Sequence, residues 1–104
     1  MDDHEIEKWL TEYEDRSRES IGIVERGEDD SANSERRVEL LVLTERKLQT
    51  YIGSPEWGVI YDDIEERKWR ACDLIDRAIK RRDAALRASL ENSRGSEPGV
   101  HDSP

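Results

Sequence analysis

Side-chain chemistry needs a nucleophile, a base or a metal ligand held beside a partner that tunes it, and this chain carries few such groups. Its two histidines, His4 and His101, lie near the two ends, and Cys72 is its single cysteine. Neither histidine has a His, Cys or carboxylate at ligand spacing inside a rigid element, so neither a metal site nor a histidine base is expected. One cysteine excludes an internal disulfide and any cysteine-based metal cluster. The six glycines are scattered and none forms a phosphate-cradling loop. The 26 Asp and Glu residues read as a solvated face and not as a hydrolytic pair. No catalytic residue, cofactor or metal is therefore assigned, and the expectation is a protein that is not an enzyme.

The charge has a pattern that its total hides. The net charge is −9. Residues 1–35 hold thirteen acids against four bases, which already gives −9, whereas residues 36–92 hold eleven acids and twelve bases. The acidity thus belongs to the N-terminal third. Charged residues make up 41% of the chain and hydrophobic ones 34%, so the core must be thin. No apolar run is long enough to span a bilayer, and the opening MDDHEIEKW is acidic where a secretory signal would be basic and then apolar. A soluble, cytoplasmic protein with no membrane contact is expected.

The elements that must position these groups are helical. From Asp62 to about Leu90, Ile64, Ala71, Leu74, Ile75, Ala78, Ile79, Ala85 and Leu86 recur on one face at about 100° per residue, opposite a charged face. Acid-before-base pairs four residues apart (Asp63/Arg67, Glu66/Arg70, Asp73/Arg77, Asp76/Lys80, Asp83/Arg87) add roughly 0.2–0.5 kcal/mol each. Cys72 sits at the edge of the apolar face and reads as a buried structural thiol. Ahead of this helix, Gly53-Ser54-Pro55-Glu56 is a stop followed at once by a start, so the long helix begins at Pro55 or only at Asp62.

Two shorter helices precede it. Ile6, Trp9, Leu10, Tyr13, Ser17 and Ile21 mark one from Asp3 to about Ser20, capped by Asp2 or Asp3, which either ends at Gly22 or continues weakly through Ile23 and Val24. Residues 27–33 (GEDDSAN) read as an exposed polar loop with nothing to bury. Ser31 or Ser34 would cap a second helix reaching Ile52, with Val38, Leu41, Val42, Leu48 and Ile52 as one stripe and Leu40, Leu43 and Tyr51 as another. Strands at 21–24 and 38–43 are the competing assignments. The fold class predicted is all-α, a small bundle of about three helices with a long third helix packed antiparallel to the second. Residues 1–92 form one helical domain, and residues 93–104 (SRGSEPGVHDSP) a disordered tail.

The helix lengths do not match. About 43 Å of third helix faces about 29 Å of second, so Leu86 and Leu90 lack a partner within the chain. Self-association is the ordinary way to cover such surface. Trp69 falls on the polar face, where an exposed tryptophan can anchor a partner. Arg82 interrupts the apolar face and must snorkel, pair with a carboxylate such as Glu45, or mark an oligomer seam. Trp69, Arg82, Leu86, Leu90 and Trp9 are the candidate partner-binding residues.

The function expected is a small acidic protein–protein interaction module, an adaptor, regulator or assembly subunit that forms homo-oligomers. An alternative is an acidic decoy, of the kind a virus or mobile element encodes, occupying a basic nucleic-acid-binding surface on a protein partner. A further alternative is a nucleic-acid binder using the basic part of the third helix, where eight bases outnumber three acids between Arg67 and Arg87. Nucleic acid is disfavoured because the chain as a whole is negative and several of those bases face acids one turn away.

Overall fold

A computed structural model describes residues 4–95 as three helices, α1 (His4–Glu25), α2 (Ser31–Gln49) and α3 (Glu56–Gly95). Residues 21–24 and 38–43 are helical, and no strand occurs among the described residues. The predicted three-helix, all-α architecture is therefore the observed one.

Direction follows from the contacts between helices. Glu12 of α1 bonds Arg36 of α2, and Glu5 bonds Lys47, so α1 and α2 are antiparallel. Glu7 reaches Arg67 of α3 and Glu25 reaches Arg81, so α1 and α3 are parallel. The second and third helices therefore run opposite ways. Each packs mainly on α1 and touches the other far less. The first helix is the spine of the bundle, and the acidic third of the chain is the part that both other helices lie against.

The core is thin, as composition requires. One cluster unites Ile6, Leu10, Leu48, Ile60 and Ile64, with Tyr51 and Trp57 against it. A second unites Tyr13, Leu40 and Ala71, flanked by Trp9 and Leu41. Farther along, Ser17, Ser20 and Val24 of α1 and Ile75 and Ala78 of α3 are buried. Small side chains there let the backbones approach. The buried hydroxyls cost little because Ser17 Oγ donates to the Tyr13 carbonyl (2.7 Å) and Thr44 Oγ1 to the Leu40 carbonyl (2.8 Å).

Several boundaries differ from those the sequence predicts. The first helix takes the longer of its two possible courses, running through Gly22 to Glu25, and ends at Gly27, whose φ of 71° lies in the left-handed region. There Gly27 N donates to the Val24 carbonyl and Glu28 N to the Ile23 carbonyl, both at 3.0 Å, the paired bonds of a glycine-terminated helix. The stop signal was Gly27; Gly22 is an interior residue. The second helix starts at Ser31 and ends at Gln49, three residues before Ile52. Asp30 occupies its N-cap position without a side-chain cap bond. Asp29 instead accepts from Ser31 N at 3.0 Å.

The third helix begins at Glu56, the earlier of its two possible starts. Gly53 (φ 86°) turns the chain, and Ser54 Oγ accepts from Glu56 N at 3.2 Å. The helix also continues through Gly95, so residues 93–95, assigned to the tail, are helical. The rest of that tail, with His101, lies outside the described residues, as do Asp2 and Asp3.

The apolar stripes need correction too. In α2 the inward row is Asn33, Leu40, Thr44 and Leu48. Val38, Val42 and Ile52 point outward, because α2 has one close neighbour, α1, and needs only one face. In α3, Leu74 and Ile79 are exposed at 44% and 41%, while Ile64, Ala71, Ile75 and Ala78 are buried. Cys72 is exposed, not buried. Its Sγ lies 3.8 Å from the Tyr13 hydroxyl.

The two glycines of α1's second half make opposite demands. Gly27→Ala forces a side chain into a left-handed conformation and is expected to lower the urea midpoint, whereas Gly22→Ala meets only the flexible end of Arg26 at 3.1 Å. Gly22→Ala is expected to stabilise by about 0.5–1 kcal/mol. Equilibrium urea unfolding of the two variants measures both signs.

Candidate protein-interaction surface

The surface that could meet a partner is positioned by two polar seams that lock α1 to its neighbours. On the α2 side, Arg36 grips Glu12 through two bonds, Nε to Oε2 at 2.8 Å and Nη2 to Oε1 at 3.1 Å, and Arg16 Nε adds a third at 2.9 Å. These guanidinium bonds, Arg36 first, hold the Glu12 carboxyl down at about 2. The seam continues inward to Asn33, which the sequence had placed in an exposed loop. Its amide donates to the Arg16 carbonyl and to Ser20 Oγ, both at 2.7 Å, and its oxygen accepts from Arg16 Nη1 at 3.1 Å. Ser20 Oγ donates in turn to Asp30 at 3.0 Å. A buried amide with its groups satisfied is affordable, and it fixes the register of α2 on α1.

On the α3 side the lock is Arg67. Its Nη1 donates to Glu7 at 2.7 Å and its Nη2 to Glu14 at 2.6 Å, with Asp63 at 3.4 Å. Burial works against its charge, but Glu14 and Glu7 outweigh that and keep the guanidinium ionised. Glu14 has Arg18 one turn on along its own helix. Arg67 takes it, and Arg18 turns to Asp15. Glu7 and Glu14 stand seven residues apart on one face of α1, and Arg67 sits at the edge of α3's apolar stripe. That combination was the legible sign of this contact.

Beyond these seams, two open regions lie along α3. The first is a shallow groove where α2 and α3 diverge near their connector, lined by Glu45, Leu48, Trp57, Tyr61, Ile64 and Glu65. Trp57 and Tyr61 stack there with centroids 5.0 Å apart and planes 13° from parallel. The Trp57 indole N–H is buried with no acceptor among the described residues. One turn farther on, Trp69 is 63% exposed. It is not loose: its Nε1 donates to Glu65 at 2.9 Å and Lys68 Nζ stands 5.6 Å from its ring. Lys68 also bonds Glu65 at 3.0 Å. An indole held in place from two sides loses little freedom on binding.

The second region is the far end of α3. Arg81 meets Glu25 in the last turn of α1 at 3.5 Å, and among the described residues no other helix follows α3 past that level. Every residue from Ile79 to Ser93 is exposed, Leu86 at 51% and Leu90 at 64%. Residues 82–95 thus form an arm about 21 Å long. Arg82 lies on it, exposed, and so does not meet Glu45, which is exposed and stands near Lys68 instead. The predicted Glu45/Arg82 pair fails because Arg82 lies nearly four turns beyond the level of Lys68. Among the candidates, Trp69, Arg82, Leu86 and Leu90 are solvent-facing, whereas Trp9 is half-buried against the Tyr13 cluster.

His4 is exposed, and among the described residues no group of three or more His, Cys, Asp or Glu is placed to hold a metal ion. No helix of the described residues is long and apolar enough to cross a membrane. No protein-family model, curated protein or solved structure matches the chain.

The Glu12 seam makes stability depend on pH with a defined sign. Its folded-state value lies near 2 against 4.5 for the free group, so its contribution is complete above about 4.5 and disappears as pH falls toward 2. Urea unfolding should show the wild type losing stability across that window. Glu12→Gln should lose less there and be weaker than the wild type at pH 7.

Proposed function

We propose that this chain is a small, non-enzymatic helical interaction module that self-associates and offers protein partners the exposed side of α3. The observation that supports it most is the uncovered arm. A helix segment with Ile79, Leu86 and Leu90 in water has no partner among the described residues, and isolated helices of about 12–15 residues are only marginally stable in water. A protein surface that covers those side chains gains about 25 cal/mol per Å² of apolar area. The pinned Trp69 and the Trp57–Tyr61 stack add aromatic contact groups on the same helix.

The acidic N-terminal third is engaged internally, which argues against a decoy for basic surfaces. Glu5, Glu7, Glu12, Glu14 and Glu25 all contact bases of α2 or α3. The same holds for a nucleic-acid interface on α3. Arg70, Arg77 and Lys80 bond Glu66, Asp73 and Asp76, and Arg81 bonds Glu25.

Sedimentation equilibrium tests the proposal directly. The wild type should show an average mass rising above 12.1 kDa as concentration increases through the micromolar range. Leu86→Glu with Leu90→Glu should remain at the mass of one chain while the bundle melts at an unchanged temperature. A wild type that stays at one chain's mass throughout would overturn it.

A further inference from the structure

Along the exposed side of α3, running from the end of the bundle into the arm, lies a charge pattern that has a direction. Asp76, Lys80, Asp83 and Arg87 occupy one strip of α3, alternating in sign, and beside them lie Ile79 and Leu86. All six are exposed, and Asp76 already bonds Lys80 at 3.0 Å. Read backwards, the strip becomes plus, minus, plus, minus. Two copies laid antiparallel would therefore place each acid opposite a base, whereas two laid parallel would set each charge against its own copy. The apolar pair has a two-fold pattern about a neighbouring point: Ile79 and Leu86 stand equally far from the midpoint between Arg82 and Asp83, one residue rise of about 1.5 Å beyond the midpoint of the charges, which lies between Arg81 and Arg82.

We propose that the occupant of the arm is α3 of a second copy, antiparallel, with a two-fold axis passing between Arg82 and Asp83, so that residues 82–93 of each copy lie along residues 72–83 of the other. This rests on the self-association proposed above and gives it a geometry. Ile79 then packs on Leu86 of the second copy and Leu86 on its Ile79, an isologous seam. On the charged flank Asp76 stands within about 3 Å, two residue rises, of the level of Arg87 of the second copy, and Lys80 likewise of its Asp83, within reach of their long side chains, each pair occurring twice. Arg82 lies on the other flank near the axis, where its aliphatic stem lines the seam and its guanidinium reaches outward. The short overlap makes a small interface, so the pair dissociates on dilution. The two bundles are carried at opposite ends of a rod, and any partner contact made through Trp69 becomes bivalent.

The single, exposed Cys72 allows the unmodified sequence to report the geometry. With nitroxide labels on Cys72 at a concentration where sedimentation shows dimer, pulsed electron resonance should give a separation of about 30–35 Å. That corresponds to twenty-one residue rises of about 1.5 Å and the lateral offset of two packed helices. A separation under about 20 Å would indicate parallel pairing, and a broad distribution no fixed pairing; either overturns the register while leaving self-association intact. A wild type that never dimerises overturns both.

A charge exchange supplies the second readout. Lys80→Asp should weaken dimerisation roughly 3–10-fold. Adding Asp83→Lys should restore it, because the exchanged charges still meet opposites across the axis. The double variant lacks the 76/80 and 83/87 attractions within each helix, so helix propensity cannot account for a rescue. A double variant as weak as Lys80→Asp would contradict the proposed pairing.

Discussion

A mismatch of length governs this molecule. The first two helices have 22 and 19 residues and the third has 40, and helices in register can cover one another only for as long as both last. At the level of Glu25 and Arg81 the bundle ends, but the amphipathic pattern of α3 does not. From that point onward Leu86 and Leu90 stand in water.

Electrostatics within the chain explain why the mismatch is not relieved by folding back. The acidic helix α1 lies between two helices that present arginines to it, Arg36 from one side and Arg67 from the other. Glu12, Glu7 and Glu14 fix its height against both neighbours within a turn. Sliding α1 along α3 to cover Leu86 would break the Arg67 bonds to Glu7 and Glu14 and part Tyr13 from Ala71. The thin core could not offset that loss. The strongly negative N-terminal third is thus a means of assembling the chain on itself.

The sequence made the broad architecture legible because α3 repeats a clear stripe and the Gly-Ser-Pro-Glu junction states both a stop and a start. The length mismatch was visible for the same reason. What escaped was decided by tertiary context. Val38 and Val42 looked like core because they are apolar and well spaced, but α2 has one close neighbour and spends its inward face on Leu40, Thr44, Leu48 and the amide of Asn33. Asn33 carries no local sign of burial, since its partners Arg16 and Ser20 are more than ten residues away. Cys72 sat at the border of the stripe, where a small rotation of the helix decides exposure. Of the candidate contact residues, the four on α3 face solvent. Trp9, judged by residue type alone, is half taken up by the core.

The most direct test of the account is amide hydrogen exchange across α3, measured at a dilute and at a high protein concentration. The account predicts that amides of residues 82–93 exchange quickly when dilute and become protected as concentration rises, while those of residues 60–78 are protected at both. Arm amides that exchange equally fast at both concentrations, or that are equally protected at both, would contradict it.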